Sequence, residues 1–295
     1  MEKIKSYNGI VNVVKPPGMS SSGVVVFLKK LLHFKKIGHA GTLDPGAAGV
    51  LCVLLGRSAR LSDLLMEQKK SYIAQITFGK QTDTLDSYGK LTAEEDCDIS
   101  QEMLKGALEA FKGEIMQVPP AYSAVKIDGQ ASYKLARKNG GQAPQKPPRR
   151  AVIYDISLIE QTGKNKFLIF VECSKGTYIR VLAKDIGSFL KVPAYMSFLL
   201  RTGAAGLDIK DSYTVDELKQ MKENGDESFI KPPESALINM KSITVKEITA
   251  KRLKDGLSQR VNVDIDGPFK VFSKDGLIGI AEKCEEGIKL KISLY

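Results

Sequence analysis

Apolar and polar positions along the chain repeat in two ways, one typical of strands and the other typical of helices. Strands are predicted over residues 10–14, 50–55, 70–78, 151–160 and 166–173. Helices are predicted over residues 57–66, after a cap within Ser20 to Ser22, after the candidate caps Ser100 and Thr177, and from near Thr214. The mixture of the two patterns is compatible with an α+β fold.

Two polar stretches interrupt this pattern. Residues 79–89 are rich in turn-forming side chains, and they predict a loop. The stretch 126–150 predicts a basic insertion, with a short helix at 133–138 and a mobile, Gly-, Pro- and Gln-rich part at 139–150.

The composition changes again near residue 242. From there, short strand patterns alternate with glycine turns up to the last residue. We therefore expect a large domain over residues 1–241 and a small β-rich module over 242–295, which is close to the lower size limit of a separate domain.

The charge is strongly basic and unevenly distributed. The formal net charge is +10, and residues 126–201 alone hold fourteen Lys and Arg against five acids. Such a block favours a polyanionic partner, with nucleic acid ahead of a membrane because no long amphipathic basic helix is evident. The alternative is a solvated basic face that binds nothing.

Several classes of site lack their usual sequence patterns. The four cysteines show no paired spacing, and the chain has no Walker loop, GxGxxG, HExxH, CxxC or GxSxG motif. We therefore expect no disulfide framework, metal or cofactor. An N-terminus without a signal-peptide pattern and the lack of an apolar run near 18 residues predict a cytoplasmic protein.

One stretch, residues 38–49, displays a carboxylate and a histidine among small residues directly before the predicted buried strand. Asp44 is followed by Pro45 and Gly46, which is also ordinary turn chemistry, so a plain turn is the simpler interpretation. The alternative is a reactive carboxylate on a rigid scaffold. An arginine can orient such a group and lower its pKa, and Arg180 is the candidate.

Four stretches of the chain together resemble the TruB family of tRNA pseudouridine synthases. They are Lys15-Pro16-Pro17-Gly18-Met19-Ser20-Ser21, the loop His39 to Gly49, Lys70-Ser71-Tyr72, and Ser174-Lys175-Gly176-Thr177-Tyr178-Ile179-Arg180. The resemblance covers about residues 9–207. It implies a mostly antiparallel central sheet flanked by helices, followed by a small RNA-binding module of the PUA type. In the loop, Gly46 stands where a bulkier residue is frequent.

The resemblance also implies roles for individual residues. Asp44 would be the catalytic carboxylate, and His39 would stack in the T-loop of tRNA and help to displace the target nucleotide. The uridine pocket would be lined by Tyr72, Tyr178 and Leu199, and Tyr72 is also a candidate for removing a proton from C5. Arg180 would pair with Asp44, and Lys15 with the Pro16-Pro17 turn would support the catalytic loop.

Ordinary interpretations of these residues stay open. Tyr72 and Leu199 lie in apolar runs where core residues are more common, and Tyr178 and Arg180 could be surface residues at a helix start.

The function expected from the resemblance is the conversion of one tRNA uridine, at position 55, into pseudouridine. We expect a cofactor-free monomer that acts without a guide RNA, because the N-terminus is short and no long Lys-rich tail is present. The rival hypotheses are a non-catalytic RNA-binding or RNA-folding protein and a guide-RNA-dependent enzyme.

Overall fold

The structure is a computed structural model that describes residues 7–120, 126–127, 130–131 and 146–295. The chain divides into two compact units. The first unit contains residues 1–44, 50–68 and 204–295, and the second contains 45–49 and 69–203. Asp44 is the last residue of the first segment of the first unit, and Pro45 belongs to the second unit.

The secondary-structure elements are labelled in chain order. The strands are β1 (Gly9–Lys15), β2 (Ile37–Ala40), β3 (Ala48–Leu55), β4 (Lys70–Phe78), β5 (Lys80–Thr82), β6 (Leu91–Glu94), β7 (Gly113–Gln117), β8 (Lys126–Ile127), β9 (Gln130–Ala131), β10 (Arg149–Gly163), β11 (Lys166–Cys173), β12 (Ala194–Ala204), β13 (Leu207–Asp208), β14 (Ser242–Thr244), β15 (Phe269–Ser273), β16 (Gly276–Cys284) and β17 (Gly287–Ser293). The described α-helices are α1 (Ser21–Leu31), α2 (Ser62–Met66), α3 (Gln101–Ala110), α4 (Ile179–Phe189), α5 (Val215–Glu223) and α6 (Glu247–Lys254). Short 3₁₀ helices cover Gly56–Leu61, Ile209–Asp211 and Pro233–Ala236.

In the first unit, β1 and β2 both neighbour β3, and β2 pairs with it in antiparallel register. On α1, Val24 and Leu28 are fully enclosed in a core with Val11 and Val53. Because burial of apolar surface is the main stabilising term, this core fixes α1 beside the strands that carry the candidate loop.

The C-terminal part of the first unit forms its own four-stranded sheet. The strand order is β14-β15-β16-β17, parallel at the first pair and antiparallel at the others. Phe269, Val271 and Ile288 are fully buried in the core of this part. A β-rich C-terminal module is therefore present as predicted, whereas the exact domain boundaries stay a prediction.

The second unit is built on a sheet with the order β12-β4-β11-β10-β7. The β4-β11, β11-β10 and β10-β7 pairs are antiparallel, and β12 runs parallel to the first two residues of β3. The predicted alternation in β4 is confirmed, because Ala74, Ile76 and Phe78 are buried on one face together with Tyr72. The mostly antiparallel α+β architecture is confirmed.

The predicted caps within Ser20 to Ser22 and at Ser100 are confirmed, and the predicted cap at Thr177 is wrong. Ser20, Ser100 and Thr214 each accept a hydrogen bond from a backbone N–H of the first turn. Thr177 is not a cap, since α4 begins after Tyr178 and the Thr177 hydroxyl instead donates to the carbonyl of Ser174 at 2.9 Å. This hydroxyl stabilises the preceding turn rather than the helix.

Other boundaries also differ from the prediction. Residues 80–82 are not loop but form β5, which pairs with β6, and the helix expected from residue 57 starts as a 3₁₀ helix. Arg149 and Arg150, expected in the mobile insertion, are the first residues of β10 and pair with β7. The predicted helix at 133–138 and the insertion at 139–145 lie outside the described residues. None of the described helices is long and apolar enough to cross a membrane.

Candidate active site

The candidate loop connects β2 to β3 and contains the turn that the sequence predicted. Pro45 and Gly46 form this turn, and Asp44 before it is half-buried. At the end of the loop, Gly49 has a φ of +113°, and an added Cβ would lie 2.6 Å from the backbone nitrogen of Arg201. Only glycine satisfies both the backbone conformation and this close approach, so the end of the loop is fixed against β12.

The motif from Lys15 to Ser21 fixes the backbone of Leu43, the residue just before Asp44. The buried Lys15 ammonium donates to the carbonyls of Pro16 at 2.9 Å and Met19 at 2.7 Å, which fixes the proline turn. Beyond that turn, the Ser21 hydroxyl accepts from the N–H of Leu43 at 2.9 Å and donates to its carbonyl at 3.1 Å. Both backbone groups of Leu43 are therefore bound, and its position is determined by α1.

His39 lies on β2 rather than in the loop. It pairs with Val53 in the antiparallel β2-β3 register, and it is half-buried. The sheet therefore fixes the backbone of His39, five residues before Asp44.

Two predicted pocket residues of the second unit lie on neighbouring strands. Tyr72 is on β4 with 7% of its surface exposed, and Leu199 is on β12 with 8% exposed. Both side chains are as well enclosed as core residues, which leaves the core and pocket interpretations open.

Arg180 is buried at the start of α4 and contacts a turn that is distant in sequence. Its side chain is 6% exposed, and Nη1 donates to the carbonyl of Thr84 at 3.0 Å. The same nitrogen lies 3.6 Å from the Oδ2 atom of Asp86, whose side chain is 16% exposed. The guanidinium is thus held by a carboxylate in a poorly solvated environment, where ion pairs interact strongly.

Asp86 also organises the turn from which it comes. Its Oδ1 atom accepts hydrogen bonds from the Thr84 hydroxyl at 2.6 Å and from the N–H of Tyr88 at 3.0 Å. Leu85 in the same turn has a φ of +62°, which is uncommon for a leucine and is stabilised by these surrounding bonds.

The turn is attached to β12 at two points. The N–H of Met196 donates to the carbonyl of Leu85 at 3.1 Å, and the hydroxyl of Ser87 donates to the carbonyl of Ser197 at 2.7 Å. The residues on both sides of Asp86 are therefore hydrogen-bonded to β12. The sequence analysis missed Asp86, although a second carboxylate in the polar turn at 79–89 was the signal that could have indicated it.

Tyr178 is fixed through its backbone by Gln117, a second residue that the sequence analysis missed. The side-chain amide of Gln117 accepts from the N–H of Tyr178 at 2.9 Å and donates to its carbonyl at 3.2 Å. Gln117 is 2% exposed, so these bonds form away from water and define where α4 begins. Tyr178 as a whole is half-buried.

The predicted site residues fall into two groups. Lys15, Pro16, His39 and Asp44 belong to the first unit, and Tyr72, Tyr178, Arg180 and Leu199 belong to the second. Within the second unit, Tyr178 and Arg180 share the start of α4, and Tyr72 and Leu199 share adjacent strands. The partners described for Arg180 are Thr84 and Asp86, and its pairing with Asp44 stays a prediction. Among the described residues, no three His, Cys, Asp or Glu side chains cluster as a metal site.

Comparisons with known proteins give a consistent result. Residues 29–179 match the profile of the TruB family of pseudouridylate synthases, in its N-terminal domain. A protein of Caldanaerobacter subterraneus named tRNA pseudouridine synthase B is 40% identical over 282 residues, which cover 94% of this chain and 96% of the relative. A Clostridium tetani protein of the same name is 38% identical, with 96% of this chain and 98% of the relative covered.

Solved structures share the same fold. A chain in the structure of an H/ACA RNP bound to a substrate RNA matches with a TM-score of 0.74 and 23% identity, covering 97% of this chain and 85% of that chain. A chain of the archaeal Nop10-Cbf5 complex matches with a TM-score of 0.75 and 24% identity, covering 98% and 86%. At this identity the two structures support the fold alone.

Proposed function

This chain belongs to the TruB family of pseudouridylate synthases, and from that membership we propose that it isomerises uridine 55 in the T-loop of tRNA to pseudouridine. The relatives named tRNA pseudouridine synthase B, which align over nearly the whole chain, support tRNA as the substrate. The observation that carries the proposal is the candidate loop, in which Leu43 is bound through both backbone groups directly before Asp44.

The reaction exchanges one bond for another within a single nucleotide. The N1–C1′ glycosidic bond breaks, the base turns in its pocket, and a C5–C1′ bond forms. The proton on C5 is removed, and N1 ends with a proton. No atom is gained or lost, so the reaction itself consumes no cosubstrate.

Asp44 is the proposed catalytic carboxylate. A carboxylate at this place has three possible first steps, namely attack on C1′, addition to C6, and removal of the C2′ proton. In each of them the ionised form is the reactive one, and the guanidinium of Arg180 would orient it. Asp86 and Thr84 would in turn position Arg180, since they bind its guanidinium.

The remaining site residues would bind the extruded nucleotide. A uridine inside a folded T-loop cannot reach a half-buried carboxylate unless it is flipped out of its stack. His39 would help to displace it, whereas Tyr72, Tyr178 and Leu199 would form the walls of the pocket. Tyr72 is also the proposed group that takes the C5 proton. Lys15 and the Pro16 turn would keep the loop in place through the bonds of Lys15 to the turn carbonyls.

Affinity for RNA would come from charge and shape. The excess of Lys and Arg in residues 126–201 supplies a salt-dependent attraction to phosphates, while the loop and pocket recognise the bent T-arm. We propose that the protein acts as a monomer in the cytoplasm, without a guide RNA.

The test compares three proteins on unmodified tRNA alone. Wild-type protein should form pseudouridine at position 55, Asp44→Asn should bind the tRNA and form none, and the exposed-residue control Asp63→Asn should behave like wild type. A wild type that binds tRNA but forms no pseudouridine would support the RNA-binding rival. Activity that appears only after a guide RNA is added would support the guide-dependent alternative.

A further inference from the structure

Tyr88 is the most exposed large aromatic side chain among the described residues, yet it lies on a firmly held turn. Its relative exposure is 72%, while Asp86, two residues earlier, is mostly buried beside Arg180. Exposed tyrosines are usually on poorly constrained surface. Here the N–H of Tyr88 is bound to the Oδ1 atom of Asp86 at 3.0 Å.

The ring of Tyr88 packs on Gly46 in the candidate catalytic loop. A Cβ added to Gly46 would lie 2.7 Å from Cζ and 2.8 Å from Cδ2 of Tyr88, and closer still to Cε2. Gly46 does not have a positive φ, so its backbone conformation would accept any residue. The position is therefore limited by the space that the ring occupies and not by the backbone.

The turn fixes the position of the Tyr88 backbone in the RNA-free protein. Ser87, next to Tyr88, donates to β12, and the carbonyl of Leu85 accepts from Met196 on the same strand. An aromatic side chain whose backbone is already fixed loses little conformational entropy on binding. One edge of the ring covers Gly46, and the exposed remainder faces solvent.

We propose that the exposed face of Tyr88 stacks on a base of the substrate RNA that lies next to the extruded uridine. This inference rests on the proposed function. Gly46 is two residues after Asp44, so their Cα atoms are at most about 7 Å apart, which is about twice the separation of roughly 3.4 Å between stacked bases. A base on Tyr88 would therefore flank the nucleotide that Asp44 attacks.

Stacking on a tyrosine suits this position. Every base has a π-face, so the contact adds affinity without requiring a particular sequence. The contact would also replace the stacking that a neighbouring base loses when the uridine leaves its stack in the T-loop. In this chain the ring occupies the space that a side chain at residue 46 would take.

The first test measures RNA affinity in the Asp44→Asn background, where no product forms. Tyr88→Ala should raise the dissociation constant for a T-arm RNA between about 5-fold and 150-fold, the range that loss of one stacked base implies. Tyr88→Phe should stay within about twofold, because the ring is retained. Equal dissociation constants with and without the Tyr88→Ala change would overturn the inference.

The second test places a fluorescent reporter at the same position. The chain contains no tryptophan, so Tyr88→Trp introduces a unique indole. Its emission should be quenched in a saturable way by the T-arm RNA. Tyr154→Trp is the matched control, because Tyr154 is also an exposed tyrosine, on β10. Quenching that is equal at both positions, or absent at position 88, would contradict stacking at Tyr88.

A double-mutant cycle tests the contact with Gly46. Gly46→Ala should displace the ring and weaken RNA binding, and it should have no further effect once Tyr88 is replaced by alanine. Effects that simply add would show that the ring contact is irrelevant and would count against the inference. If wild-type protein forms pseudouridine while Tyr88→Ala binds RNA normally, only this inference fails. If wild-type protein forms none, the proposed function fails and this inference fails with it.

Discussion

Replacing Asp86 by asparagine should separate the charge of this residue from its shape. The side-chain oxygen of the introduced amide can still accept the hydrogen bonds from the Thr84 hydroxyl and the N–H of Tyr88, which are 2.6 Å and 3.0 Å long in the wild type. What is removed is the negative charge 3.6 Å from Nη1 of Arg180. The variant therefore takes one carboxylate away from the surroundings of a buried guanidinium.

The magnitude follows from the separation and the burial. Two unit charges 3.6 Å apart attract by about 4.6 kcal/mol at an effective dielectric constant of about 20. The variant no longer pays the cost of desolvating the carboxylate, which offsets part of the lost attraction. We therefore expect Asp86→Asn to lower the free energy of unfolding by about 3 kcal/mol. Asp86→Ala also removes two hydrogen bonds to the carboxylate and should cost about 5 kcal/mol in total.

The assay is urea unfolding followed by circular dichroism, with pseudouridine formation measured on the same preparations. Glu172→Gln is the control, because Glu172 pairs with Lys69 at 3.0 Å through side chains that are 31% and 57% exposed, and it should cost less than about 1 kcal/mol. The rate constant kcat of Asp86→Asn should fall at least about tenfold if Arg180 orients Asp44. Unchanged stability and unchanged kcat together would refute the role assigned to Asp86.

Two other properties of the structure give simple expectations. Thr214→Ala should lower the free energy of unfolding by about 1 kcal/mol at a pH of about 7, because it removes the N-cap of α5. Hydrogen bonds from Thr214 lower the pKa of Glu217, so this contribution is present above the unfolded pKa of a glutamate and is lost as pH falls through the folded value. The difference in urea midpoint between the two proteins should therefore shrink in acid, and a difference that grows there would contradict this explanation. Burial raises the pKa of the Cys173 thiol to about 11, so at a pH of about 8 a thiol reagent should modify the exposed Cys284 quickly and Cys173 only after unfolding. Rapid labelling of Cys173 in native protein, located by peptide mass spectrometry, would contradict the burial.

The elements that were predicted correctly are those determined by local sequence. Ser20 and Ser100 are caps because a short hydroxyl side chain reaches an N–H within the first turn. The alternation in β4 survives because one face of that strand is buried. Both signals lie within a few residues, so they can be recognised without knowledge of the rest of the chain.

The errors arise where distant segments determine the structure. Residues 80–82 read as loop, and they form a strand because β6 pairs with them. Thr177 reads as a cap, yet α4 begins after Tyr178, whose backbone N–H and carbonyl are bound by Gln117, 61 residues away in sequence. Asp86, which lies 3.6 Å from the guanidinium of Arg180 and 94 residues away from it in sequence, was missed. No local pattern indicates such a contact.

The four family motifs predicted more of the candidate site than periodicity did. They indicated Asp44, Lys15 and Arg180 by residue number, and the described contacts of Lys15 and Ser21 explain physically why the first motif precedes the loop. Gln117 and Asp86 were missed because each acts on a motif from outside it, through hydrogen bonds to Tyr178 and to the turn at Thr84. The folded structure is needed to see these contacts, because each joins segments that are far apart in sequence.

The most direct test of the account is the mapping of pseudouridine in a single unmodified tRNA after incubation with purified protein alone. Wild-type protein should convert the uridine at position 55 and no other, and Asp44→Asn should bind the same tRNA with no conversion. Pseudouridine formed by Asp44→Asn at the wild-type rate, or a wild-type product at a different position, would contradict the central claim.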